Sequence, residues 1–417
     1  MWSGVEYEDL SSVRSTEWIT RRVTPSVPVK FAGEEQPCPV SIVILAKDEE
    51  RCIARCLDSV VDLGLDNILV LDTGSTDDTP RIVERYRDHG VRLIRTPWTR
   101  SFARTRNQAI DAVGEGWIVF LDADEWLTER SARNLRPCLM YLSRLEGLRR
   151  MAFAPEIIDV DRNVHTTDLP RIFRADSAIR YRGEVHEYPV IAEGPGTPVD
   201  VIGIDIQVNH DGYTRSVVIS KDKRRRNLDL LETARANDPG NPRWWYFSIR
   251  DGHVTLDHAE LISMCDTLKE LTDKPARHGD HRGARDYYRR ALAPACQRLA
   301  AMRDWTNVSR YCEDLPRVDA YYFRAIRELL SGAVTESDLL EAVRLRRDDE
   351  MTADSVVEPS ARHLDAIIIA LLERVRDRAE ADRYLEFCSL WTDSFFEDSR
   401  LREPYRQGRV QPSLRRG

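Results

Sequence analysis

Long hydrophobic runs are missing from this sequence of 417 residues, and none approaches the roughly 20 apolar residues that a membrane-spanning helix needs. The first residues are acidic and lack the apolar core of a secretory signal peptide, so we expect a cytoplasmic protein without a membrane span. Basic residues number 62 against 70 acidic ones, and the net charge of -8 argues against a nucleic-acid-binding protein.

Cysteine is present at eight positions but without a metal-binding or redox spacing. No Cys-x-x-Cys occurs, and the one close pair, Cys52 and Cys56, lies one helical turn apart without flanking histidines. In a reducing compartment we expect free, mostly buried thiols and neither a disulfide framework nor a zinc site.

Two hydrophobic segments, 67–72 and 117–122, each end on an aspartate, and the second continues as Asp122-Ala123-Asp124-Glu125. Segments of strand and helix character alternate from residue 41 to residue 146. This alternation predicts an α/β fold, with a doubly wound, mostly parallel sheet and helices on both faces. Open sheets of this kind bind ligands at the carboxyl ends of their strands, where these aspartates fall.

Changes in composition and periodicity along the sequence divide the chain into four predicted parts. Residues 1–36 form a lead-in, 37–214 the α/β domain, 215–405 an all-α domain and 406–417 a tail. Tyr287-Tyr288 recurs as Tyr321-Tyr322 after 34 residues, which is the tetratricopeptide period. We therefore expect stacked helix pairs, similar to tetratricopeptide repeats, in the all-α domain.

The carboxylates at the two strand ends are the main candidates for chemistry. Asp122 and Asp124 have the spacing that holds a divalent ion against a diphosphate, because hard cations bind oxygen ligands and bridge phosphates. The alternative is a solvated acidic turn that caps helix 128–146, with help from Glu125. Asp72 is placed to accept a hydrogen bond from a nucleobase, and its alternative is to cap the next helix. The pattern outlines a nucleotide-sugar site.

Three further polar residues lie near predicted strand or helix ends. Arg106 is suited to recognise a phosphate or carbonyl group. Glu187 is a candidate general base and His210 a candidate metal ligand, although a histidine in such a place is often only structural.

Six motifs over about 170 residues together resemble the family 2 glycosyltransferases of the GT-A fold. They are Ser41 to Glu50, Leu71 to Asp77, Phe120 to Glu125, Arg171 to Arg174, Gly183 to Glu187 and His210 to Tyr213. Two departures stand out. Lys47-Asp48-Glu49 replaces the family's frequent Lys-Asn-Glu, and only Phe102, Arg106 and Asn107 match its Asp-Phe-Ser-x-Ala-Arg-Asn segment.

Segments 221–228, 238–244 and 316–324 extend the resemblance to sublancin-type peptide S-glycosyltransferases, whose C-terminal half is tetratricopeptide-like. This resemblance implies inverting transfer of a hexose from a UDP-sugar, UDP-glucose first of all, to a cysteine thiol of a ribosomal peptide. It also implies Mg²⁺ or Mn²⁺ as cofactor and a homodimer.

The resemblance assigns roles to individual positions. Asp124 and His210 are the expected metal ligands, and Glu187, His186 and Asp124 are the expected catalytic residues. The expected donor-binding positions are Ala46, Asp72, Arg106, Asp122 and Ala123.

Two other functions stay open from the sequence. One is a glycosyltransferase of the cell envelope or of lipopolysaccharide, which would act on a sugar or lipid acceptor. The other is a repeat protein that binds a nucleotide-sugar or a peptide without catalysis.

Overall fold

A computed structural model describes residues 19–22, 38–145, 147–161, 164–193, 197–211, 223–274, 283–358 and 360–389. Gly212, Tyr213, the pair 221–222, most of the predicted lead-in and the predicted tail lie outside these ranges. The chain divides into two compact units. One comprises Met1–Asn237 with Ala276–His281, and the other comprises Asp238–Pro275 with Arg282–Gly417.

The first unit is built on ten strands of one mixed sheet and a separate two-stranded ribbon. The strands are β1 (Ile19–Arg22), β2 (Val40–Ala46), β3 (Asn67–Asp72), β4 (Val91–Arg95), β5 (Trp117–Asp122), β6 (Glu125–Leu127), β7 (Met151–Asp159), β8 (Val164–Thr166), β9 (Ile172–Arg174), β10 (Ile179–Arg182), β11 (Tyr188–Ile191) and β12 (Asp200–His210).

The sheet has the order β1-β12-β7-β9-β5-β2-β3-β4, with β6 added to β12 and β8 added to β7. Strands β5, β2, β3 and β4 form a parallel block. Strand β9 joins this block antiparallel through β5 and also pairs antiparallel with β7, while β7 and β12 run parallel. The ribbon is the antiparallel pair β10 and β11.

Strands β2, β3 and β5 of the parallel block are buried on both faces because they are almost continuously apolar, whereas the edge strand β4 is only partly buried. Successive residues of β2 and β5 point into two different cores: Ile42 and Val119 into one, Val43 and Phe120 into the other. Fully burying such a side chain contributes about 1.5–3 kcal/mol. The order of strands and helices confirms the predicted α/β class of the GT-A type, followed by helices.

The helices of the first unit are α1 (Ile53–Asp58), α2 (Thr79–Glu84), α3 (Phe102–Val113), α4 (Glu129–Leu142) and α5 (Lys223–Asn237). Helix α3 begins at Ser101, whose hydroxyl accepts the Arg104 N–H at 3.3 Å. Helix α4 begins at Thr128, which accepts the Ser131 N–H at 3.3 Å. Helix α5 belongs to this compact unit, although it lies beyond the boundary at 214/215 predicted from the sequence.

The described part of the second unit is helical. Its helices are α6 (Pro242–Gly252), α7 (His258–Thr272), α8 (Ala284–Ala301), α9 (Trp305–Cys312), α10 (Arg317–Ser331), α11 (Glu336–Arg346), α12 (Asp349–Ala353), α13 (Arg362–Val375) and α14 (Arg378–Ser389). The tyrosine pairs 287–288 and 321–322 lie in α8 and α10 and are buried in one core.

The eight cysteines are all free, and all but the half-buried Cys312 are buried, which confirms the prediction for the thiols. Among the described residues, no helix combines the length and apolar character needed to cross a bilayer.

Candidate functional site

The two predicted aspartates end strands on either side of β2. Asp72 lies opposite Ala46 and Asp122 lies opposite Leu45 in the parallel register. With neighbouring strands about 4.8 Å apart, the two carboxyl-bearing ends lie on the order of 10 Å from each other at one edge of the sheet. The structure thus brings these two predicted residues to the edge where ligands of such sheets bind.

Asp122 is held between two guanidinium groups. One carboxylate oxygen accepts from Arg106 Nη2 at 3.0 Å, and the other accepts from Arg171 Nη2 at 2.8 Å. Burial alone would raise the pKa of Asp122, but Arg171 and Arg106 outweigh it and hold the pKa well below its ordinary value. Asp122 is therefore an anion that two buried cations fix in position.

Arg106 lies in the second turn of α3 and is only 3% exposed. Its Nε donates to Glu187 at 2.7 Å, while the guanidinium lies 5.0 Å from the centre of the Phe120 ring. Among the described residues its buried Nη1 has no hydrogen-bond partner. Arg106 thus connects the strand end at Asp122 with the predicted base, and the two N–H groups of its Nη1 atom remain for another acceptor.

Arg171 and Glu125 were given no catalytic or binding role by the sequence, yet they complete this cluster. Glu125 accepts the Asp122 N–H at 2.8 Å and lies 3.5 Å from Arg171 Nη2. Burial raises the pKa of Glu125 to about 7, with Arg171 opposing the shift and Asp122 adding to it. The sequence feature that could have identified Arg171 is its position as the first residue of a motif that resembles the family, Arg171 to Arg174.

Glu125 does not cap α4, because Thr128 does so. The solvated, helix-capping turn that was the alternative for this acidic segment is therefore not what the structure shows. Asp124 is only 7% exposed and Glu125 only 3%.

Asp124 lies beside the predicted second ligand, His210. The His210 Nε2 atom is 3.6 Å from a carboxylate oxygen of Asp124, because β6 and β12 pair with Glu125 opposite His210. Burial would lower the pKa of His210, but its contact with Asp124 outweighs burial and raises the pKa.

This pair can take part in binding a divalent ion but cannot complete a site. Mg²⁺ is usually bound by one or two carboxylates together with water and substrate phosphates, and Mn²⁺ also favours oxygen ligands. Within the described residues, no group of three or more His, Cys, Asp or Glu side chains could hold a metal. The donor set therefore fits an ion shared with a phosphorylated substrate.

The Asp72 carboxylate supports the turn that follows β3. It accepts the N–H groups of Gly74 at 3.3 Å and of Ser75 at 3.1 Å, and Gly74 has a φ of 98°, which favours glycine. The Ala46 carbonyl accepts the Thr73 N–H at 3.0 Å. Ala46 and Asp72 therefore shape the edge of the predicted donor site, and a carboxylate so engaged can still accept a further hydrogen bond.

Asp48, the departure from the family's Lys-Asn-Glu, also holds this loop. It adopts a φ of 53°, which aspartate tolerates better than most residues, and its carboxylate accepts the Thr76 N–H at 2.7 Å. Here a carboxylate does what an asparagine carbonyl could do, so this departure leaves the loop intact.

His186 and Glu187 lie in the connection between β10 and β11, directly before β11. His186 has a φ of 50°, and Glu187 is ion-paired with Arg106. Burial would raise the pKa of Glu187, but Arg106 outweighs it and lowers the pKa. Glu187 is therefore an ionised carboxylate at neutral pH, and its basicity is weak. Ala123, the remaining predicted donor contact, is buried between Asp122 and Asp124.

Asp211 adds an ion-pair cluster that the sequence did not predict. It accepts two hydrogen bonds from Arg51, at 2.9 and 3.0 Å, and one from Arg55 at 2.6 Å. The Arg55 guanidinium lies 3.7 Å from the centre of the Trp126 ring. These contacts tie the end of β12 to α1 and fix the segment that carries His210.

Residues 41–137 match the family described as Glycosyl transferase family 2. Residues 41–137 are therefore similar to family 2 glycosyltransferases, and the matched segment contains both strand-end aspartates.

Among individual relatives, the SPbeta prophage-derived glycosyltransferase SunS of Bacillus subtilis (strain 168) is 28% identical over 376 residues, covering 88% of this chain and 85% of that protein. The TPR repeat-containing protein Synpcc7942_0270 of Synechococcus elongatus is 28% identical over 319 residues, 70% of this chain and 75% of its own length. The lipopolysaccharide core biosynthesis glycosyltransferase LpsC of Rhizobium meliloti is 33% identical over 107 residues, 25% of this chain and 38% of its own.

Proposed function

We propose that this protein transfers a hexose from a UDP-sugar to the cysteine thiol of a ribosomally made peptide, by a single displacement that inverts the anomeric carbon. UDP-glucose is the first donor to test, and a serine hydroxyl is a secondary acceptor. A Mg²⁺ or Mn²⁺ cofactor, a cytoplasmic location and a homodimer belong to the same proposal, through the resemblance to sublancin-type peptide S-glycosyltransferases.

The main support for this proposal is the length of the chain over which it is similar to SunS. The match to SunS covers 88% of this chain and therefore includes much of the helical unit. The match to LpsC covers 25% of the chain. A shared donor-binding domain explains a short match, whereas similarity along the helices supports a related acceptor as well.

The strand-end carboxylates have separate proposed roles. Asp124, with His210, would hold the divalent ion, which when bound neutralises charge on the departing diphosphate. Asp72 would accept a hydrogen bond from the nucleobase, and Asp122 would contact the ribose. Arg106 would position Asp122 and Glu187 through the hydrogen bonds already described, and its unpaired Nη1 offers a donor to the nucleotide.

The state of Glu187 favours a thiol acceptor. A carboxylate whose pKa is lowered by Arg106 is a poor base for an alcohol. A cysteine thiol has an ordinary pKa of about 8.5 and is already a few per cent thiolate at neutral pH, so it needs little help to react. Glu187 would then orient the acceptor and receive its proton.

Replacing the proposed metal ligand tests the enzyme class. Asp124→Ala should reduce UDP release from every UDP-sugar by at least about 100-fold, because it removes a contact that acts on developing charge. Asp111→Ala is the matched control, since Asp111 is 70% exposed and lies on the same unit. An Asp124→Ala variant that keeps most of the control's activity would overturn the metal assignment.

A conservative change of Glu187 tests the acceptor class. Glu187→Gln keeps an oxygen that can accept from Arg106 but removes the base. We expect a loss of no more than about 10-fold with a cysteine peptide and of about 100-fold or more with its serine twin. The exposed Glu115→Gln should change neither rate. An equal collapse with both acceptors would contradict a thiol-directed enzyme.

A further inference from the structure

Arg226 in the first turn of α5 is a half-buried cation that lies among residues of the first unit. Its guanidinium carbon is 5.2 Å from the centre of the Phe102 ring. Its hydrogen bonds go to the side chain of the adjacent Asn227, at 3.0 and 3.3 Å. No carboxylate of the described residues pairs with it.

Phe102 places this cation next to the strand-end cluster. The Phe102 N–H donates to the Glu184 carbonyl at 2.9 Å, three residues before Glu187. Phe102 also precedes Arg106 by four residues, so both side chains lie on one face of α3. The far end of α5 contacts the same segment, because Asn237 Nδ2 donates to Glu184 at 2.9 Å.

The positive charge of Arg226 is not fully neutralised by its neighbours, so the residue can bind an anion. Burial lowers the pKa of Arg226, and the acids Glu187 and Glu49 only partly offset that effect. Both acids already have other interactions: Glu187 is ion-paired with Arg106, and Glu49 accepts from the Cys52 thiol. A guanidinium with five donors and one neutral partner is suited to bind phosphate oxygens, which it can do with two parallel hydrogen bonds.

We propose that Arg226 contacts the diphosphate of the nucleotide donor, on the side of the site formed by Phe102 and Glu187. This inference rests on the proposed function, because it assumes a nucleoside-diphosphate donor. Stacking on Phe102 would hold the plane of the guanidinium while its edge faces the phosphates. Arg226 would thereby offset charge on the leaving diphosphate in addition to the ion at Asp124.

The test compares nucleotide binding with and without the phosphates. Calorimetry of the full-length wild-type chain and of Arg226→Ala, Arg226→Gln and Arg226→Lys would use UDP, GDP and ADP, each beside its nucleoside, with Mn²⁺ present. We expect Arg226→Ala and Arg226→Gln to bind the preferred diphosphate about 10- to 100-fold more weakly, because a charged hydrogen-bonding partner is lost. Arg226→Lys should recover part of that affinity, and affinity for the nucleoside should not change.

Arg225→Ala is the matched control, since Arg225 is the preceding residue and is exposed. It should bind UDP as the wild type does.

The outcomes separate this inference from the function on which it rests. Wild-type affinity for the diphosphate in both Arg226→Ala and Arg226→Gln would overturn the inference and leave the proposed function standing. An equal loss for nucleoside and diphosphate would show that Arg226 only supports the fold, and it would also overturn the inference. Failure of the wild-type chain to bind any of the three diphosphates would overturn both.

Discussion

Asp122, whose side chain is 35% exposed, and the buried Glu125 are neighbouring acids in one cluster, and their pKa values move in opposite directions. Arg171 and Arg106 contact Asp122 directly and lower its pKa. Glu125 has one weaker approach, to Arg171 at 3.5 Å, and burial raises its pKa to about 7. Near neutral pH the cluster therefore combines one firmly ionised carboxylate with one that exchanges its proton.

Glu125 should make the stability of the protein depend on pH. The folded state keeps the proton of Glu125 up to a pKa of about 7, whereas the unfolded state releases it near the ordinary value of 4.5. The folded state thus binds more protons in this window, and the contribution of Glu125 to stability, full below the lower value, is lost as the pH rises through about 7.

We predict that Glu125→Gln gains stability relative to wild type as the pH rises from about 5 to about 8, by up to about 3 kcal/mol. Glutamine keeps an oxygen that can accept the Asp122 N–H. Urea unfolding at both pH values measures the difference, and Glu129→Gln, whose parent side chain is 94% exposed, is the control. A difference between Glu125→Gln and wild type that is the same at both pH values would contradict the raised pKa.

Among the elements, strands β3 and β5 were predictable because they are buried on both faces. The segments 67–72 and 117–122 picked out from the sequence have the same bounds as β3 and β5. Continuous apolar runs bounded by turn residues carry that information locally.

The antiparallel part of the sheet was less accessible to sequence reasoning. Strands β1 and β6 are short, and each is a strand only because it pairs with β12. The role of Arg171 likewise depends on β9 lying beside β5, which places it against Asp122 and Glu125. Contacts between residues far apart in the chain decide these features, and periodicity does not report them.

In the helical unit, Asp319 on α10 connects two further segments. It is fully buried and accepts from the Ser355 hydroxyl at 2.7 Å and from the Val356 N–H at 2.8 Å. His363 Nε2 on α13 lies 3.2 Å from the same carboxylate. Removing this carboxylate leaves the Ser355 hydroxyl and the Val356 N–H without their acceptor and removes the charge beside His363.

Asp319→Ala should accordingly destabilise the protein by about 3–5 kcal/mol. Chemical denaturation followed by circular dichroism measures this loss. Asp382→Ala, in which a 64% exposed aspartate of α14 is replaced, should change stability by less than about 0.5 kcal/mol. Equal stability of the two variants would contradict the proposal that the contacts of Asp319 stabilise the helical unit.

Across the full chain, a unit in which residues 41–137 match family 2 glycosyltransferases is followed by a helical unit, and the match to SunS runs through both. The segment that matches the family contains the carboxylates at the sheet edge. The acceptor is the part of the proposal that depends on the whole chain, because relatives of the domain alone include a glycosyltransferase of lipopolysaccharide core biosynthesis.

The most direct measurement is intact-mass spectrometry of hairpin peptides that carry one free cysteine, together with their Cys→Ser twins. Each peptide is incubated with the protein, a mixture of UDP-sugars and Mn²⁺, with EDTA in a parallel sample. We expect a gain of one hexose on the cysteine peptides, less or none on the serine twins, and none with EDTA. Release of UDP without a mass gain on any peptide would contradict a peptide acceptor and indicate a carbohydrate or lipid acceptor instead.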